Sequence, residues 1–433
     1  MPSVDLRSPA RLLRRAPDLR LLLGAGLVSM TGDWLLGVGL AYSVYALTGS
    51  TLASAAALLS SFVPQVLVGS VAGVFVDRWD RRRTMVVTNL LLAVGLLPLL
   101  LVSGADRIWV VYVVLAVQSC IEVFFSPAEQ ALLPRVVDDA DLVAANGLNA
   151  QIRNLARLFG SGLGGVIAAA GGIRAIAVAD AATFLVAALL VTRLRTSGRA
   201  VADALDEALD EDAAEVVRGR FSALVEEWRE GFRTVGDNYV IRTLVIALLI
   251  TSAGEGIMGT LFAPYVRHVL HASGQVYGVI TGVQAIGGVI GGFLVAVVAE
   301  RWSPVTMVWA GSIAFGLVDL AIFLYPVLWV AAWPAAVGMV LVGLPGAIAV
   351  AGTMTLFQRN TTDDKRGRVF SLLSLAQAVS VVIGSVLAGL FGGPSGIMPI
   401  LALQGGGYVV AGLLVLARLR VHEASLDLTP TRS

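Results

Sequence analysis

Charged residues are scarce in this chain of 433 residues, in which Asp, Glu, Lys and Arg together make up 14%, against about 25% in a typical soluble domain. Hydrophobic residues make up 57%. So few polar side chains do not cover a water-exposed surface, which excludes a soluble globular protein and predicts that lipid is the main solvent. The net charge of +1 gives no indication of a nucleic-acid partner.

The residues that carry most metal and redox chemistry are also few. Cys120 is the only cysteine, which excludes an internal disulfide and a cysteine-rich metal site. Lys365 is the only lysine, and it follows Asp363-Asp364 rather than a glycine-rich loop, so the phosphate-binding loop of ATP-driven pumps is missing. We therefore expect no cofactor and no metal, and we predict that the protein is not an enzyme.

Long apolar runs, in contrast, fill most of the chain. A membrane-spanning helix needs about 20 mostly apolar residues, and the sequence accommodates twelve of them. Very short turns such as Thr48-Gly49-Ser50 join several runs, so those spans are predicted to be antiparallel neighbours. The predicted class is an all-α integral membrane protein with spans at 21–47, 52–76, 84–104, 108–130, 146–170, 174–192, 239–263, 275–299, 305–325, 327–353, 369–392 and 396–417.

The two halves of the chain repeat each other at a nearly constant offset. Gly32-Asp33 in span one matches Gly254-Glu255 in span seven, 222 residues later, and Asp180 in span six falls opposite Gln404 in span twelve, 224 residues later. Two homologous six-helix halves predict pseudo-twofold symmetry and a substrate cavity near the bilayer midplane. The predicted domains are a helix bundle at 1–192, a central loop at 193–238, and a helix bundle with a C-terminal tail at 239–433.

Basic residues indicate the orientation in the membrane. They concentrate in the N-terminal tail and in the loops on the same side, whereas the opposite loops hold only Arg107, Arg174 and Arg267. Because short cytoplasmic loops carry the excess of Lys and Arg, both termini are predicted to be cytoplasmic. In the central loop, an acidic stretch (Asp203–Glu215) and an amphipathic piece (Phe221–Arg233) are interpreted as a linker and an interfacial helix; the alternative is a regulatory site.

The loop after span two reads Gly73-Val74-Phe75-Val76-Asp77-Arg78-Trp79-Asp80-Arg81-Arg82-Arg83. It resembles the loop signature of the major facilitator superfamily, G-x-L-a-D-R-x-G-R-R/K, with Asp80 in place of glycine. The resemblance implies a conformational latch, in which a carboxylate at the end of span two holds arginines and the positive N-terminal end of a neighbouring helix. The alternative is that these charges only set the topology. The implied latch residues are Gly73, Asp77, Arg78, Arg81 and Arg82 and, after span eight, Glu300 and Arg301.

Other motifs resemble one branch of that superfamily, the macrolide-efflux and enterobactin-exporter group. They are Ser126-Pro127, Ala145-Asn146-Gly147 and Arg366-Gly367-Arg368. Span five carries Gly160-Ser161-Gly162-Leu163-Gly164-Gly165, which resembles the antiporter signature G-P-x-x-G-G with Ser161 in place of proline. Small residues also let helices pack closely, so packing alone would account for them. The resemblance implies a monomeric drug:proton antiporter in a bacterial inner membrane.

Acidic residues within the predicted spans are the candidates for proton coupling, because a charge there is costly unless it is paired or hydrated. Asp33 and Glu122 are the first choices, followed by Glu255 and Asp180, and Asp319 is a further intramembrane acid. The alternative for each is a permanently protonated group that serves helix packing. The polar and aromatic residues predicted to line the cavity, or else to pack, are Trp34, Tyr42, Gln65, Gln118, Phe124, Arg153, Gln284 and Gln377.

Together these features predict a secondary active transporter. The first hypothesis is a proton-coupled antiporter that exports a hydrophobic or amphipathic small molecule, such as a drug or a siderophore, by alternating access. An importer or uniporter of a nutrient and a lysolipid translocator are the alternatives. The predicted partners are the bilayer, the small-molecule substrate and protons. A membrane-bound enzyme or receptor would need a catalytic constellation or a sizeable soluble domain, and the sequence offers neither.

Overall fold

The computed structural model describes residues 12–138, 141–196, 233, 235–236, 238–361 and 363–423. For residues 69–78, 143, 363–368, 370–371 and 421–423 it describes the backbone only. The acidic stretch of the central loop lies outside the described residues, and so does its amphipathic piece apart from Arg233.

The apolar runs form helices, because a backbone in lipid must satisfy its hydrogen bonds within its own segment. Within the described residues the chain folds into helices and turns and forms no strand. The helices are α1 (Pro17–Thr48), α2 (Thr51–Arg78), α3 (Arg81–Gly95), α4 (Ile108–Leu132), α5 and α6 (together Leu142–Thr192), α7 (Tyr239–Pro264), α8 (Gly274–Val298), α9 (Pro304–Leu324), α10 (Trp333–Asn360), α11 (Asp363–Phe391) and α12 (Ile397–Glu423).

One glycine divides the longest helical stretch. In the described part of the chain, eleven helical stretches are long and apolar enough to cross a membrane, and one of them runs without a gap up to Thr192. Its backbone is non-helical at Gly172, with φ 61° and ψ −156°, a conformation that essentially only glycine adopts. The part before Gly172 is α5 and the part after it is α6. The predicted all-α membrane fold is thereby confirmed, and the division at Gly172 turns the eleven stretches of the described chain into twelve helices.

One predicted span start is wrong by six residues. The sequence predicts span ten from residue 327, but Tyr325–Val327 is a short 3-10 helix and α10 begins at Trp333. Pro334 stands in its first turn, where the missing N–H of proline costs nothing. The sequence predicts span eleven at 369–392, and the candidate span Leu372–Phe391 agrees with it. The helix α11 itself begins earlier, at Asp363. The helix therefore extends into a charged segment that hydrophobicity alone excludes from a span.

The chain divides into two compact units, one of residues 1–43 and 60–217 and the other of residues 44–59 and 218–433. The segment Val44–Leu59, which joins α1 to α2, belongs to the second unit. In that unit Thr51 Oγ1 donates a hydrogen bond to the backbone carbonyl of Gly389 at 3.1 Å. The predicted domain limits at residues 192 and 239 stay a prediction.

Glycines let helices approach closely at equivalent places of the two units. In the first unit, a Cβ at Gly160 of α5 would lie 2.4 Å from the carbonyl oxygen of Thr31 on α1. In the second, a Cβ at Gly384 of α11 would lie 1.9 Å from the carbonyl oxygen of Ala253 on α7. Gly160 and Gly384 are 224 residues apart in the sequence, so the two units share the internal packing that the repeat predicts.

Candidate functional site

Asp180 is completely buried on α6 of the first unit, where it faces α1. Its Oδ1 accepts a hydrogen bond from Thr183 Oγ1 at 3.0 Å. Its Oδ2 is buried without a hydrogen-bond partner among the described residues. Gly32 of α1 leaves the room for this carboxylate, since a Cβ there would lie 2.1 Å from Asp180 Oδ1. Gly32 and Asp180, which both take part in the sequence repeat, thus form one close contact between α1 and α6.

Asp33, the residue after Gly32, belongs to a cluster of acidic side chains. It is half-buried, and its carboxylate interacts electrostatically with Glu122, Glu129 and Asp180. The structure therefore brings together three of the four predicted coupling residues, which come from α1, α4 and α6. Like charges in one poorly solvated site repel each other, so such a cluster is most stable when some of its members carry a proton.

Glu129 is the member of this cluster that the sequence prediction missed. It is 3% exposed, and a Cβ at Gly26 of α1 would lie 2.8 Å from its Oε1. The charge of Arg153 on α5 also acts on it. The predicted end of span four, at residue 130, made Glu129 look like a terminal residue. The spacing of seven residues from Glu122 was the available signal, because two helical turns place both side chains on one face.

A cation lies on the aromatic ring beside Asp33. The guanidinium carbon of Arg157 on α5 is 4.8 Å from the ring centroid of Trp34, within the distance of a cation–π interaction. Trp34 is partly exposed, Arg157 is half-buried and Arg153 is exposed. The first unit thus combines acidic, basic and aromatic groups in one place, which suits an amphipathic ligand.

The fourth predicted coupling residue, Glu255, lies in the second unit. Its side chain is exposed, and its Oε1 accepts a hydrogen bond from the hydroxyl of Tyr408 on α12 at 2.5 Å. The ring of Tyr408 stacks on that of Phe315 on α9, with 4.2 Å between the centroids. The prediction missed both aromatic residues, since nothing distinguishes them in sequence from ordinary packing residues.

Asp319, the other intramembrane acid of the second unit, is 2% exposed and hydrogen-bonded at one oxygen. Its Oδ2 accepts a hydrogen bond from Gln404 Nε2 at 2.9 Å. Gln404 takes the place that Asp180 has in the first unit. Gly254 takes the place of Gly32, since a Cβ there would lie 2.9 Å from Gln404 Cγ. The same position in the two units therefore holds a carboxylate in one and a neutral amide in the other.

The predicted cavity residues are spread over several environments. Gln118 of α4 is buried, and its Nε2 donates to the backbone carbonyl of Leu92 on α3 at 3.1 Å, which makes it a packing residue in this structure. Phe124 stacks on Trp79, with 5.8 Å between the centroids. Of the others, Tyr42 is buried, Gln284 is half-buried, and Gln65 and Gln377 are exposed.

The structure describes the side chains of only some of the predicted latch residues. Arg82 is half-buried, its Nε donates to the carbonyl of Val191 at 3.3 Å, and its Nη2 donates to the carbonyl of Thr192. These carbonyls end α6, where a helix has unsatisfied acceptors and a partial negative charge. An arginine here thus holds the C-terminal end of a helix. Arg81 is half-buried, Glu300 and Arg301 are exposed, and the side chains of Gly73, Asp77 and Arg78 lie outside the described residues.

The glycine-rich motif of span five packs directly on α1. A Cβ at Gly164 would lie 2.6 Å from the carbonyl oxygen of Leu35, and Gly165 is buried. Ser161 is completely buried, and its hydroxyl has no hydrogen-bond partner among the described residues. The contacts match the close packing that small residues allow, and the exporter-type role of the motif stays a prediction.

Comparison with known proteins identifies the family. The family model of the Major Facilitator Superfamily matches residues 22–236 and 244–432, which covers nearly all of the described chain. The chain is a member of the major facilitator superfamily. It is therefore a multi-pass membrane transporter, and the resemblance drawn from the loop after span two is confirmed.

The relatives of this facilitator include efflux proteins and a staphyloferrin A transporter. It is 28% identical to the multidrug efflux pump Tap of Mycolicibacterium fortuitum, over 96% of this chain and 99% of that protein. It is 22% identical to macrolide efflux protein A of Streptococcus pyogenes, over 84% and 86%. It is 24% identical to the staphyloferrin A transporter of Staphylococcus aureus (strain NCTC 8325 / PS 47), over 86% and 89%. The predicted efflux branch is confirmed by these relatives.

Two further matches differ in extent. The uncharacterized MFS-type transporter YfiS of Bacillus subtilis (strain 168) is 31% identical, but over only 42% of this facilitator and 43% of that protein. The crystal structure of peptide transporter POT in complex with sulfate has a TM-score of 0.72 at 14% identity, over 93% of this chain and 94% of that one. The structural likeness confirms the major facilitator fold.

Proposed function

We propose that this facilitator is a proton-coupled antiporter that exports a hydrophobic or amphipathic small molecule, a drug or a siderophore. The observation that carries the proposal is the cluster of Asp33, Glu122, Glu129 and Asp180 within the first unit. Carboxylates buried in a membrane protein mark proton and ion pathways by default. The names of the relatives, which include a multidrug efflux pump, a macrolide efflux protein and a staphyloferrin A transporter, support the direction and the class of substrate.

Asp180 is the member of the cluster at which we propose that a proton is held in this conformation. Its Oδ2 is buried without a donor among the described residues, and a buried charge without a partner is costly enough that such a group is normally neutral. Its counterpart in the second unit is Gln404, which is always neutral and is hydrogen-bonded to Asp319. The chain therefore combines a site that can change its charge with an equivalent site that does not.

Asp33 is the proposed exchange partner of Asp180. It is half-buried, whereas Asp180 is completely buried. In this proposal a proton that leaves Asp180 therefore passes to Asp33, the more exposed of the two carboxylates. Glu122, also half-buried, acts electrostatically on both. Trp34 and Arg157 next to this cluster give it an aromatic face for an amphipathic ligand.

The proposed setting is a bacterial inner membrane with both termini cytoplasmic, with one chain sufficient for transport and the proton gradient as the energy source. The distribution of basic residues supports the orientation. The nutrient importer and the lysolipid translocator remain alternatives, and each makes a different prediction: uptake in the first case, and movement of lysolipid between leaflets in the second.

The experiment is transport by the purified protein in proteoliposomes, with a fluorescent lipophilic dye as substrate and an imposed proton gradient. We expect dye accumulation that a protonophore abolishes, together with dye-dependent movement of protons. Asp180→Asn is expected to lose accumulation and to retain dye exchange without a gradient, because exchange needs no change of charge. Asp106→Asn is the matched control, since Asp106 is exposed and pairs with Arg107 at 3.8 Å outside the cluster.

Each outcome tests a different part of the proposal: proton coupling, the site of coupling, or the direction and substrate of transport. If the wild type accumulates dye and a protonophore does not reduce that accumulation, the proposal of proton coupling is wrong. If Asp180→Asn and Asp33→Asn both retain gradient-driven accumulation, the cluster is not the coupling site. If the wild type moves neither dye nor siderophore but moves lysolipid or takes up a nutrient, the alternative concerned replaces the export proposal.

A further inference from the structure

A second site lies in the first unit, where a cavity of about 580 Å³ is bounded by α3 and α4. This volume falls within the range of about 300–1,000 Å³ that is typical of ligand pockets. Its apolar wall consists of side chains from both helices, and Phe124 is the only predicted cavity residue among them. The residues around it are Trp79, Asp80, Arg83, Thr84, Val87, Thr88, Leu91, Cys120, Ile121 and Phe124.

The interior of this α3–α4 pocket is effectively apolar although two threonines line it. Thr84 Oγ1 donates to the carbonyl of Asp80 at 3.0 Å, and Thr88 Oγ1 donates to that of Thr84 at 2.9 Å. Both hydroxyl protons are therefore used within the helix. At the open side, Val87 and Leu91 are each about half exposed (51% and 50%). A ligand inside the pocket thus meets hydrocarbon, which favours an apolar chain.

The charged residues of the pocket, Asp80 and Arg83, are both at one end, where α3 begins. The candidate span runs from Arg81 to Leu101, so its first turn lies at a membrane surface. Asp80 caps the helix there, because its Oδ1 accepts the backbone N–H of Arg83 at 2.9 Å. Trp79 lies at the same level, which is typical of the membrane–water interface. The pocket therefore runs from the level of the lipid headgroups towards the hydrocarbon core.

Arg83 supplies a cation at this end. Arg83 is exposed, and no ion pair to it is seen among the described residues. The neighbouring Arg82, in contrast, donates to the carbonyls at the end of α6. Asp80 lines the same end, but its Oδ1 is occupied by the backbone N–H of Arg83. The guanidinium of Arg83 is thus the group that faces a ligand here, and an anionic head with a long apolar tail fits both ends. None of Asp33, Glu122 and Asp180 lines the pocket, so it is separate from the proposed coupling site and its occupant does not depend on proton coupling.

We propose that the α3–α4 pocket binds an anionic phospholipid, with an acyl chain between Val87, Leu91 and Ile121 and the phosphate on Arg83. The charge at the mouth and the apolar interior match the two parts of such a lipid. The pocket opens on the flank of a membrane span, where lipid is the surrounding solvent. Basic residues near a membrane surface attract anionic lipid by a free energy that corresponds to about a fivefold change in affinity per residue.

Cys120 is the only cysteine of the chain, and it lines the pocket. Its reactivity in the wild-type protein therefore reports whether the pocket is occupied. Delipidated protein in detergent micelles is treated with N-ethylmaleimide, and the modification rate of Cys120 is followed by intact mass. We expect dioleoyl-phosphatidylglycerol to slow this rate in a saturable way, at lower concentration than dioleoyl-phosphatidylcholine. Arg83→Gln is expected to shift the phosphatidylglycerol curve by about fivefold towards that of phosphatidylcholine. The matched control is Arg193→Gln, since Arg193 is an exposed arginine of the same unit outside the pocket.

Native mass spectrometry of the protein with retained phosphatidylglycerol provides a second readout. It tests lipid binding in the pocket even if Cys120 does not react. Leu91→Trp fills the pocket and is expected to remove the lipid adduct. Val94→Trp is its control, because Val94 is exposed on the same helix and does not line the pocket. Equal shifts by the two arginine variants, equal adducts in the two tryptophan variants, or protection by the transported dye but not by phosphatidylglycerol would each overturn the proposal.

Discussion

Gly32 and Asp180 form a tight link between α1 and α6: a methyl group on Gly32 would come within 2.1 Å of Asp180 Oδ1 and of Thr183 Oγ1. The buried carboxylate and the missing side chain are thus two parts of one feature. The repeat keeps the contact in the second unit, between Gly254 and Gln404. The size of residue 32 therefore controls whether Asp180 keeps its place.

Replacing Gly32 by alanine is expected to abolish gradient-driven transport and to lower the free energy of unfolding by about 1–3 kcal/mol, the usual cost of overpacking. The control is Gly37→Ala on the same helix, where an added Cβ would meet nothing within 4 Å. Transport in proteoliposomes and the midpoint of thermal unfolding in detergent are the measurements. Equal behaviour of the two variants would show that the contact with Asp180 does not matter.

The buried serines Ser161 and Ser385 occupy equivalent positions with different partners. Ser385 Oγ is 2.8 Å from Thr260 Oγ1, whereas Ser161 Oγ has no partner among the described residues. We expect Ser385→Ala to destabilise the protein by about 0.5–1.5 kcal/mol, the net worth of a hydrogen bond. Ser161→Ala is expected to be neutral or slightly stabilising. Thermal unfolding of both variants in the same detergent measures the difference, and a larger loss for Ser161→Ala would contradict it.

Removing the amide of Gln404 leaves the buried carboxylate of Asp319 without the donor at its Oδ2. Gln404→Leu is therefore expected to lower the free energy of unfolding by about 1–3 kcal/mol. The double variant Gln404→Leu/Asp319→Leu is expected to recover part of that loss, because replacing both partners by apolar groups removes the unsatisfied group. Denaturation of the wild type, the two single variants and the double variant measures the interaction energy between residues 404 and 319. A double variant that is as unstable as the sum of the singles would exclude this coupling.

Arg82 is expected to stabilise the end of α6 through two backbone carbonyls. Arg82→Gln should lower the free energy of unfolding by about 1 kcal/mol, a reduced value because the side chain is only half-buried. Arg82→Lys should restore little, since an ammonium does not reproduce the fixed geometry of a guanidinium. Hydrogen exchange of the last turn of α6 is the specific measurement. Full rescue by lysine would mean that charge alone matters.

Much of the fold was predictable because a chain in lipid must satisfy its backbone hydrogen bonds internally, which apolar runs do by forming helices. Apolar runs of sufficient length become spans, and the offset between Gly32 and Gly254 revealed the repeat. The starts of α10 and α11 were not predictable from hydrophobicity. Helix boundaries near Pro334 depend on local backbone chemistry, and a helix that continues beyond the membrane, as α11 does, has no apolar signal.

The acidic part of the site was predictable for a similar reason. Asp33, Glu122 and Asp180 stand out because they are charges in apolar runs, and the structure brings them together. Partners that are backbone atoms or ordinary aromatic residues carry no such signal. The carbonyl of Val191 that receives Arg82 and the ring of Phe315 under Tyr408 are visible only once the helices pack.

The break at Gly172 has a consequence for the way in which the protein enters the membrane. The chain reverses there within a single residue of left-handed backbone, so no polar linker separates the emerging α5 from α6. The two helices are therefore expected to leave the insertion machinery as one hairpin. A side chain at position 172 would oppose that reversal during synthesis, before any transport site has formed.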